Sequence, residues 1–282
     1  MSDTVSSPAV ARRYARVLSI AGSDSGGGAG IQADLKTIAA LGYYGMTAIT
    51  AITVQNTVGV HGIQALPAPL LAQQIDAVAG DIGVDAVKIG MLHDADVVRA
   101  VAAALRRHRF AHVVLDPVMV ATSGDKLITA DTAAVLIAEL FPLASLVTPN
   151  LDEAGWLIGR TIGSANQLEA AARELVTLGA RGVLLKGGHL PGDELVDLLL
   201  TPPHPPRRWT DSRIHTRNTH GTGCTLSSAI ACHLALGQPL AEAVDVARTY
   251  VRGALAAGAE VVTGRGHGPL NHGFAPRPMQ LV

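Results

Sequence analysis

Val17-Leu-Ser-Ile-Ala-Gly-Ser-Asp-Ser-Gly-Gly-Gly-Ala-Gly-Ile-Gln-Ala-Asp-Leu-Lys-Thr-Ile-Ala-Ala-Leu-Gly42 starts as a short apolar run, crosses a glycine-rich stretch and resumes with a different period. Val17 to Ala21 reads as a buried strand. Beyond the glycines, Ile31, Leu35, Ile38 and Ala39 recur at helical spacing, and Gly42 closes that helix. The alternation then repeats. Met46 to Val54 is rich in Ile, Thr and Val, and further strands are expected at Ala86 to Ile89, Val113 to Leu115, Leu146 to Thr148 and Val183 to Leu185. Each of these later runs follows a helical segment rich in Ala and Leu. Short apolar strands separated by helices are the signature of βα units around a mostly parallel sheet. From Leu195 to Ile214 the pattern shifts to β-like pieces broken by Thr201 to Arg208, where Pro-Pro occurs twice and forces a loop or edge. Two helices, Thr222 to Leu236 and Leu240 to Ala257, follow.

The chain has 282 residues, 48% of them hydrophobic, enough for one large core, and no linker divides it. Residues 1–15 read as a frayed tail and 16–282 as a single domain. With 22 Lys+Arg against 23 Asp+Glu there is no basic block to track a phosphate backbone, so nucleic acid is not an expected partner. Apolar runs fall well short of the roughly 20 residues a membrane-spanning helix requires, so no membrane is expected either. Val17 to Ala21 is too short for the core of a secretion signal, and the expected setting is cytoplasmic. Cys224 and Cys232, eight residues apart on one expected helix, are separated by about 12 Å of rise, too far for a disulfide.

In a parallel sheet, ligands bind at the carboxyl ends of the strands, so residues just after each strand carry the candidate chemistry. Gly22 to Gly30 is either a flexible turn or a loop whose backbone approaches a ligand. Within it, Gly28-Ala-Gly30-Ile-Gln-Ala33 fits the dinucleotide fingerprint. However, that fingerprint should begin directly at the strand end, and no acidic residue lies between Asp34 and Asp76 to hold a ribose. A Walker loop is absent, because no Gly-Lys pair occurs. Asn218-Thr-His-Gly-Thr-Gly-Cys224 offers another device. Amides of Gly221, Thr222, Gly223 and Cys224 at a helix start would form an anion hole for a phosphoryl group, with the Thr222 hydroxyl beside them. The alternative is a cap preceded by a turn, but two glycines there cost helix stability for no return. Asp116 follows one strand and Lys186 another, where a cation could meet phosphates. Asn150 and Glu153 have capping-box spacing, and a cap and a place in a metal–water shell are equally open readings. Asp34 and Gln55 say little alone.

Together, Ala21 to Lys36, Val54-Gln-Asn-Thr57, Lys88-Ile-Gly-Met-Leu92, Thr148-Pro-Asn150, Lys186-Gly-Gly-His189 and Asn218 to Cys224 resemble the hydroxymethylpyrimidine/phosphomethylpyrimidine kinases, a branch of the ribokinase-like superfamily. The resemblance runs from about Val17 to Asn271. It implies a three-layer α/β domain, sheet between helices, that uses ATP and Mg²⁺ to phosphorylate 4-amino-5-hydroxymethyl-2-methylpyrimidine and then its monophosphate, in thiamine biosynthesis. It also implies a homodimer. Carried over by position, Gln55 would hydrogen-bond the aminopyrimidine, with Gly22, Asp34, Met91 and Val118 lining its pocket. Lys186, Asn150, Thr222 and Gly223 would meet ATP, and Asp116 and Glu153 would order Mg²⁺ and its waters. Cys224 stands where the wider superfamily has an aspartate base. A helix start favours its thiolate, so it is a candidate base, or else a small residue filling the turn. Pyridoxal kinase shares the fold and is the nearest rival; a pyrimidine-binding sensor without catalysis is a second. The glycine stretch and the Ala121 to Lys126 loop are candidate flaps.

Overall fold

A computed structural model describes residues 12–120, 127–190 and 192–282. One candidate flap, 121–126, lies outside the described residues. Along the chain the strands are β1 (Arg16–Asp24), β2 (Tyr44–Gln55), β3 (Val60–Ala65), β4 (Ala86–Ile89), β5 (Val113–Leu115), β6 (Leu146–Val147), β7 (Val183–Leu185), β8 (Glu194–Leu200) and β9 (Arg207–Ser212). The helices are α1 (Gly30–Ala40), α2 (Ala68–Asp81), α3 (Ala95–His108), α4 (Ala130–Leu140), α5 (Leu151–Ile158), α6 (Leu168–Thr177), α7 (Thr222–Ala235) and α8 (Leu240–Gly258).

All nine strands join one sheet in the order β3-β2-β1-β4-β5-β6-β7-β8-β9. Pairings from β2 across to β7 are parallel, whereas β3, β8 and β9 pair antiparallel at the edges. Successive strand residues point to opposite faces, and both faces are covered. Leu18 and Ile20 of β1 pack in a core with Leu71, Val101, Leu136 and Leu175 from the α2 to α6 side. Val17, one residue before Leu18 and so on the opposite face, packs in a second core with Ile38, Ile230 and Val244 from α1, α7 and α8. This is the expected three-layer arrangement.

Helix α7 is buried without interruption from Thr225 to Leu234, as a helix covered by neighbours on every side must be. It lies against β1, β4 and β5, which directs its first turn at their carboxyl ends. Both cysteines sit on it and both are free.

Expected strands match closely from β4 onward. Strand β3 was not foreseen: it holds Gly62 and His61, lacks an apolar run, and takes its shape from pairing with β2. Described residues before Arg16 already make backbone hydrogen bonds. Arg13 and Val282 exchange backbone hydrogen bonds of 3.1 and 2.8 Å, and Ala15 donates to Gln280 O at 3.0 Å, so the C-terminal segment holds residues expected to fray. Among the described residues, no helix is long and apolar enough to cross a membrane.

Candidate active site

Three strand ends deliver a charged cluster. Asp116 follows β5, Thr148 follows β6 and Lys186 follows β7. Lys186 Nζ donates to Asp116 Oδ1 at 2.9 Å and the Thr148 hydroxyl donates to the same oxygen at 3.0 Å. Asp116 Oδ2 is turned toward α7, where a Cβ on Gly223 would stand 3.2 Å from it. The bare backbone at the start of α7 therefore lies against this ion pair.

Asn150 and Glu153 form a complete capping box at the start of α5. The Asn150 side-chain oxygen accepts from Glu153 N at 2.9 Å, and Glu153 Oε2 accepts from Asn150 N at 2.8 Å. The same Glu153 is buried beside Asp116 and Lys186. Burial first, and then Asp116, push its carboxyl up to about 7, against the pull of Lys186 and of the Asn150 and Met119 amides. The two readings left open by the spacing are thus compatible: the residue caps a helix and also faces the charged cluster.

At the start of α7, Gly221 adopts φ +84° and its carbonyl accepts the first helical bond, from Thr225 N at 2.9 Å. Four free amides were expected there. Thr222 N is spent on Thr219 O at 3.2 Å, and the Thr222 hydroxyl donates to that same carbonyl at 2.7 Å. Gly223 N and Cys224 N have no hydrogen-bond partner among the described residues. The anion hole is therefore narrower than the motif suggests, because the tight turn consumes one donor. Of the other three, helix geometry aims Gly223 N and Cys224 N back along the axis, toward the strand ends.

The Cys224 thiol does not match the expectation of a thiolate. Burial pushes it up to about 11; the Lys88 ammonium and a hydrogen bond from Gly30 N oppose this, and the carboxylates of Asp34 and Asp116 add to it. A helix start favours the thiolate, but Cys224, though only half-buried, is desolvated enough for burial to be the larger effect.

Asp34 also departs from expectation. It is wholly buried, and both its oxygens lie 2.8 Å from Lys88 Nζ, itself wholly buried. Ser228 of α7 donates to Oδ1 at 2.8 Å and Ser19 of β1 to Oδ2 at 2.6 Å. With its lone pairs engaged within the protein, the carboxylate has none left to offer a ligand. It instead ties α1, β1, β4 and α7 together beneath the site. Burial works against the charge on Lys88, but Asp34, with Cys224 and Asp116, holds its pKa above the ordinary value.

Gly22 sits where the β1–β2 register shifts, and a Cβ on it would come 2.6 Å from Met91 Cε. Met91 belongs to a small apolar cluster with Ala51 and Met119, against which Val118 packs. Gly22, Met91 and Val118 are thus neighbours, as the pocket assignment requires. Gln55, at the end of β2, lies next to Thr53 and His220.

Two residues of this site were not singled out from the sequence. Asp24 Oδ2 accepts from Gly28 N at 3.1 Å, Ala29 N at 2.9 Å and His220 Nε2 at 2.9 Å, and Oδ1 accepts from Gly26 N at 2.8 Å. Burial would raise its pKa, but the His220 bond and the backbone donors hold it below the ordinary carboxylate value. Asp24 thus shapes the glycine loop and joins it to the residue preceding Gly221. An acid two places before a glycine looks like any turn, and only folding brings His220 to it across 196 positions.

The family model for phosphomethylpyrimidine kinase matches residues 24–271, nearly the whole described chain. The chain belongs to that family. A hydroxymethylpyrimidine/phosphomethylpyrimidine kinase of Rhizobium meliloti is 52% identical over 256 residues, covering 90% of this chain and 96% of that protein. The thiamine biosynthesis bifunctional protein ThiED of Geobacter sulfurreducens is 52% identical over 91% of this chain, which spans only 52% of that longer protein. Among solved structures, a phosphomethylpyrimidine kinase from Clostridium difficile superposes with a TM-score of 0.76 at 41% identity, over 85% of this chain and 99% of that one. Bacillus subtilis pyridoxal kinase in an ADP complex superposes with a TM-score of 0.84 at 35% identity, over 92% and 98% of the two chains. Family membership and the superpositions agree with the ribokinase-like layering seen in the sheet.

Proposed function

We propose that this phosphomethylpyrimidine kinase family member transfers the γ-phosphoryl group of ATP to the hydroxymethyl oxygen of 4-amino-5-hydroxymethyl-2-methylpyrimidine, and then a second to the resulting monophosphate. One observation carries the reading. The free amides of Gly223 and Cys224 stand at a helix start beside the Lys186–Asp116 pair, on the same sheet edge as Gln55 and the Gly22–Met91 contact.

In each transfer a bond forms between the substrate oxygen and the γ-phosphorus while the bond to the β-bridging oxygen breaks and ADP leaves. Charge on the moving group is met by the two amides and by the Lys186 ammonium. Cys224, held as a thiol, packs the turn, and the hydroxyl proton passes late to a phosphoryl oxygen or to water, as a loose transition state allows. The Asn150 side-chain nitrogen has no partner among the described residues and remains available to a nucleotide. Asp116 and Glu153 supply two carboxylates rather than a cage of three or more ligating side chains, among the described residues. That donor set suits Mg²⁺, which binds through one or two carboxylates with waters and phosphate oxygens; when bound, it offsets charge on the triphosphate. On the family resemblance alone, the reading extends to a cytoplasmic homodimer.

Pyridoxal kinase is the second reading, favoured by the close superposition on pyridoxal kinases. A panel of hydroxymethylpyrimidine, its monophosphate and pyridoxal, with ATP consumption read beside product mass, decides between them. Both pyrimidines should gain a phosphoryl group, and faster than pyridoxal. If all three bind and none is phosphorylated, the protein is a binding module and the kinase reading fails.

A further inference from the structure

Proton counting around Gln55 gives its amide a direction. Thr53 Oγ1 lies 2.9 Å from Ser23 O and 3.0 Å from Gln55 Oε1. Both of those oxygens only accept, and a hydroxyl has one proton to give. On the other side, His220 Nε2 lies 2.9 Å from Asp24 Oδ2 and 3.4 Å from Gln55 Nε2. Asp24 already accepts three backbone amides, so it offers His220 only a lone pair. Nε2 must therefore carry a proton, which the Nε2–H tautomer and the imidazolium both provide and the Nδ1–H tautomer does not. With its oxygen toward Thr53, the amide sets one donor against another and asks one hydroxyl to donate twice. Turning it over removes both conflicts, because amide oxygen and nitrogen differ only in the network they satisfy. Gln55 Nε2 then donates to Thr53 Oγ1, which donates to Ser23 O, and Gln55 Oε1 takes the long branch of the His220 N–H.

We propose that Asp24, His220 and Thr53 are positioning residues that hold the Gln55 amide with its oxygen toward α7, and so make the site select a 4-amino over a 4-oxo pyrimidine ring. The inference rests on the pyrimidine reading of Gln55. With the amide held this way, its oxygen accepts from an exocyclic amine on the His220 side. Its second N–H donates to the neighbouring ring nitrogen on the Thr53 side. In the aminopyrimidine, the hydroxymethyl carbon is attached next to the amine, on the side away from that ring nitrogen. The held amide therefore turns the hydroxymethyl group toward His220 and the turn that follows it, where Gly223 and Cys224 wait. A reversed amide would accept the ring with its hydroxymethyl group turned away, or would accept a ring bearing an oxo group and an N–H in place of the amine and ring nitrogen.

The test compares the amino ring with its 4-oxo analogue in wild type, Thr53→Val and His220→Phe. Thr53→Val removes only a hydroxyl and guards against the chance that His220→Phe disturbs packing against Gly28. For each protein, kcat/KM for both rings and calorimetric Kd for both rings without ATP are measured. The wild-type preference for the amino ring should fall at least about tenfold in both variants, since a buried hydrogen-bonding group sets discrimination of that size. Affinity for a non-hydrolysable ATP analogue should stay within about twofold. A purely structural role would weaken both rings together and leave the ratio alone. An unchanged amino-to-oxo ratio in a folded Thr53→Val overturns the proposal. If wild type binds both rings and phosphorylates neither, the kinase reading falls, while the Kd ratio still judges the amide. Failure of wild type to bind either ring overturns both.

Discussion

Gly221 is docked directly on the glycine-rich loop: a Cβ on it would overlap the carbonyl oxygen of Gly28. One residue earlier, His220 sets its ring where a Cβ on the same Gly28 would stand, 2.3 Å from Cδ2. The phosphate end and the ring end of the site are therefore built as one piece, backbone against backbone, from segments almost two hundred positions apart. Gly221→Ala would bring both a collision with Gly28 and an L side chain at φ +84°. The expected loss is at least about 2 kcal/mol of stability, read by urea denaturation, because left-handed strain and a backbone clash add. A loss below half of that would mean the two segments separate easily.

Gly223→Val should behave in the opposite way. Its backbone is not in the left-handed region, and an added Cβ would meet Lys186 Nζ at 3.1 Å and Asp116 Oδ2 at 3.2 Å, both side-chain ends. The fold should survive and turnover should not, with kcat falling at least about a hundredfold as a side chain fills the space meant for the moving phosphoryl group. Pyrimidine affinity, measured calorimetrically, should change little. Near-normal turnover would remove the anion hole from the mechanism.

Strand and helix periods carried most of this architecture, because parallel strands covered on both faces must be continuously apolar and α7, covered on every side, is built of apolar and small residues. The short motifs after β5, β6 and β7 also located Asp116, Glu153 and Lys186. What composition could not show was how polar groups divide their bonds. Asp34 looked like an acid suited to a helix start, yet its partner Lys88 comes from β4 and holds it in a buried ion pair. Thr222 looked like a donor, yet the turn before it consumes its amide. Cys224 looked activated, yet burial outweighs the helix start. In each case the deciding partner comes from tertiary packing or from the detailed shape of a turn.

Lys88→Met tests whether the buried pair is foundation or function. Removing the ammonium leaves Asp34 charged among Ser19, Ser228 and apolar neighbours, which should cost about 3 to 5 kcal/mol of stability. The double change Lys88→Met with Asp34→Asn should recover part of that loss, since the uncompensated charge is gone. Equal destabilisation of the single and double variants, measured in denaturant, would show that the pair contributes through shape rather than charge.

Glu153 offers a pH signature whose sign is opposite to that of most carboxylates. Burial and Asp116 place its folded pKa at about 7, above the ordinary value of 4.5. Below 4.5 the group is protonated in both states and has no effect on the balance. As pH rises from 4.5 toward 7 the unfolded chain ionises first, so stability is lost across that window and levels off above it. A shift of this size corresponds to about 3 kcal/mol. Glu153→Gln cannot ionise, and its side-chain oxygen can still accept from Asn150 N in the capping box. The variant should therefore match wild type near pH 4.5 and exceed it by up to about 3 kcal/mol at pH 8. Its activity should move the other way, with lower kcat and a higher magnesium requirement, because the charge that strains the free protein is the one set aside for the metal and its waters. A stability gain that is the same at both pH values would mean that packing, not ionisation, is what Glu153 contributes.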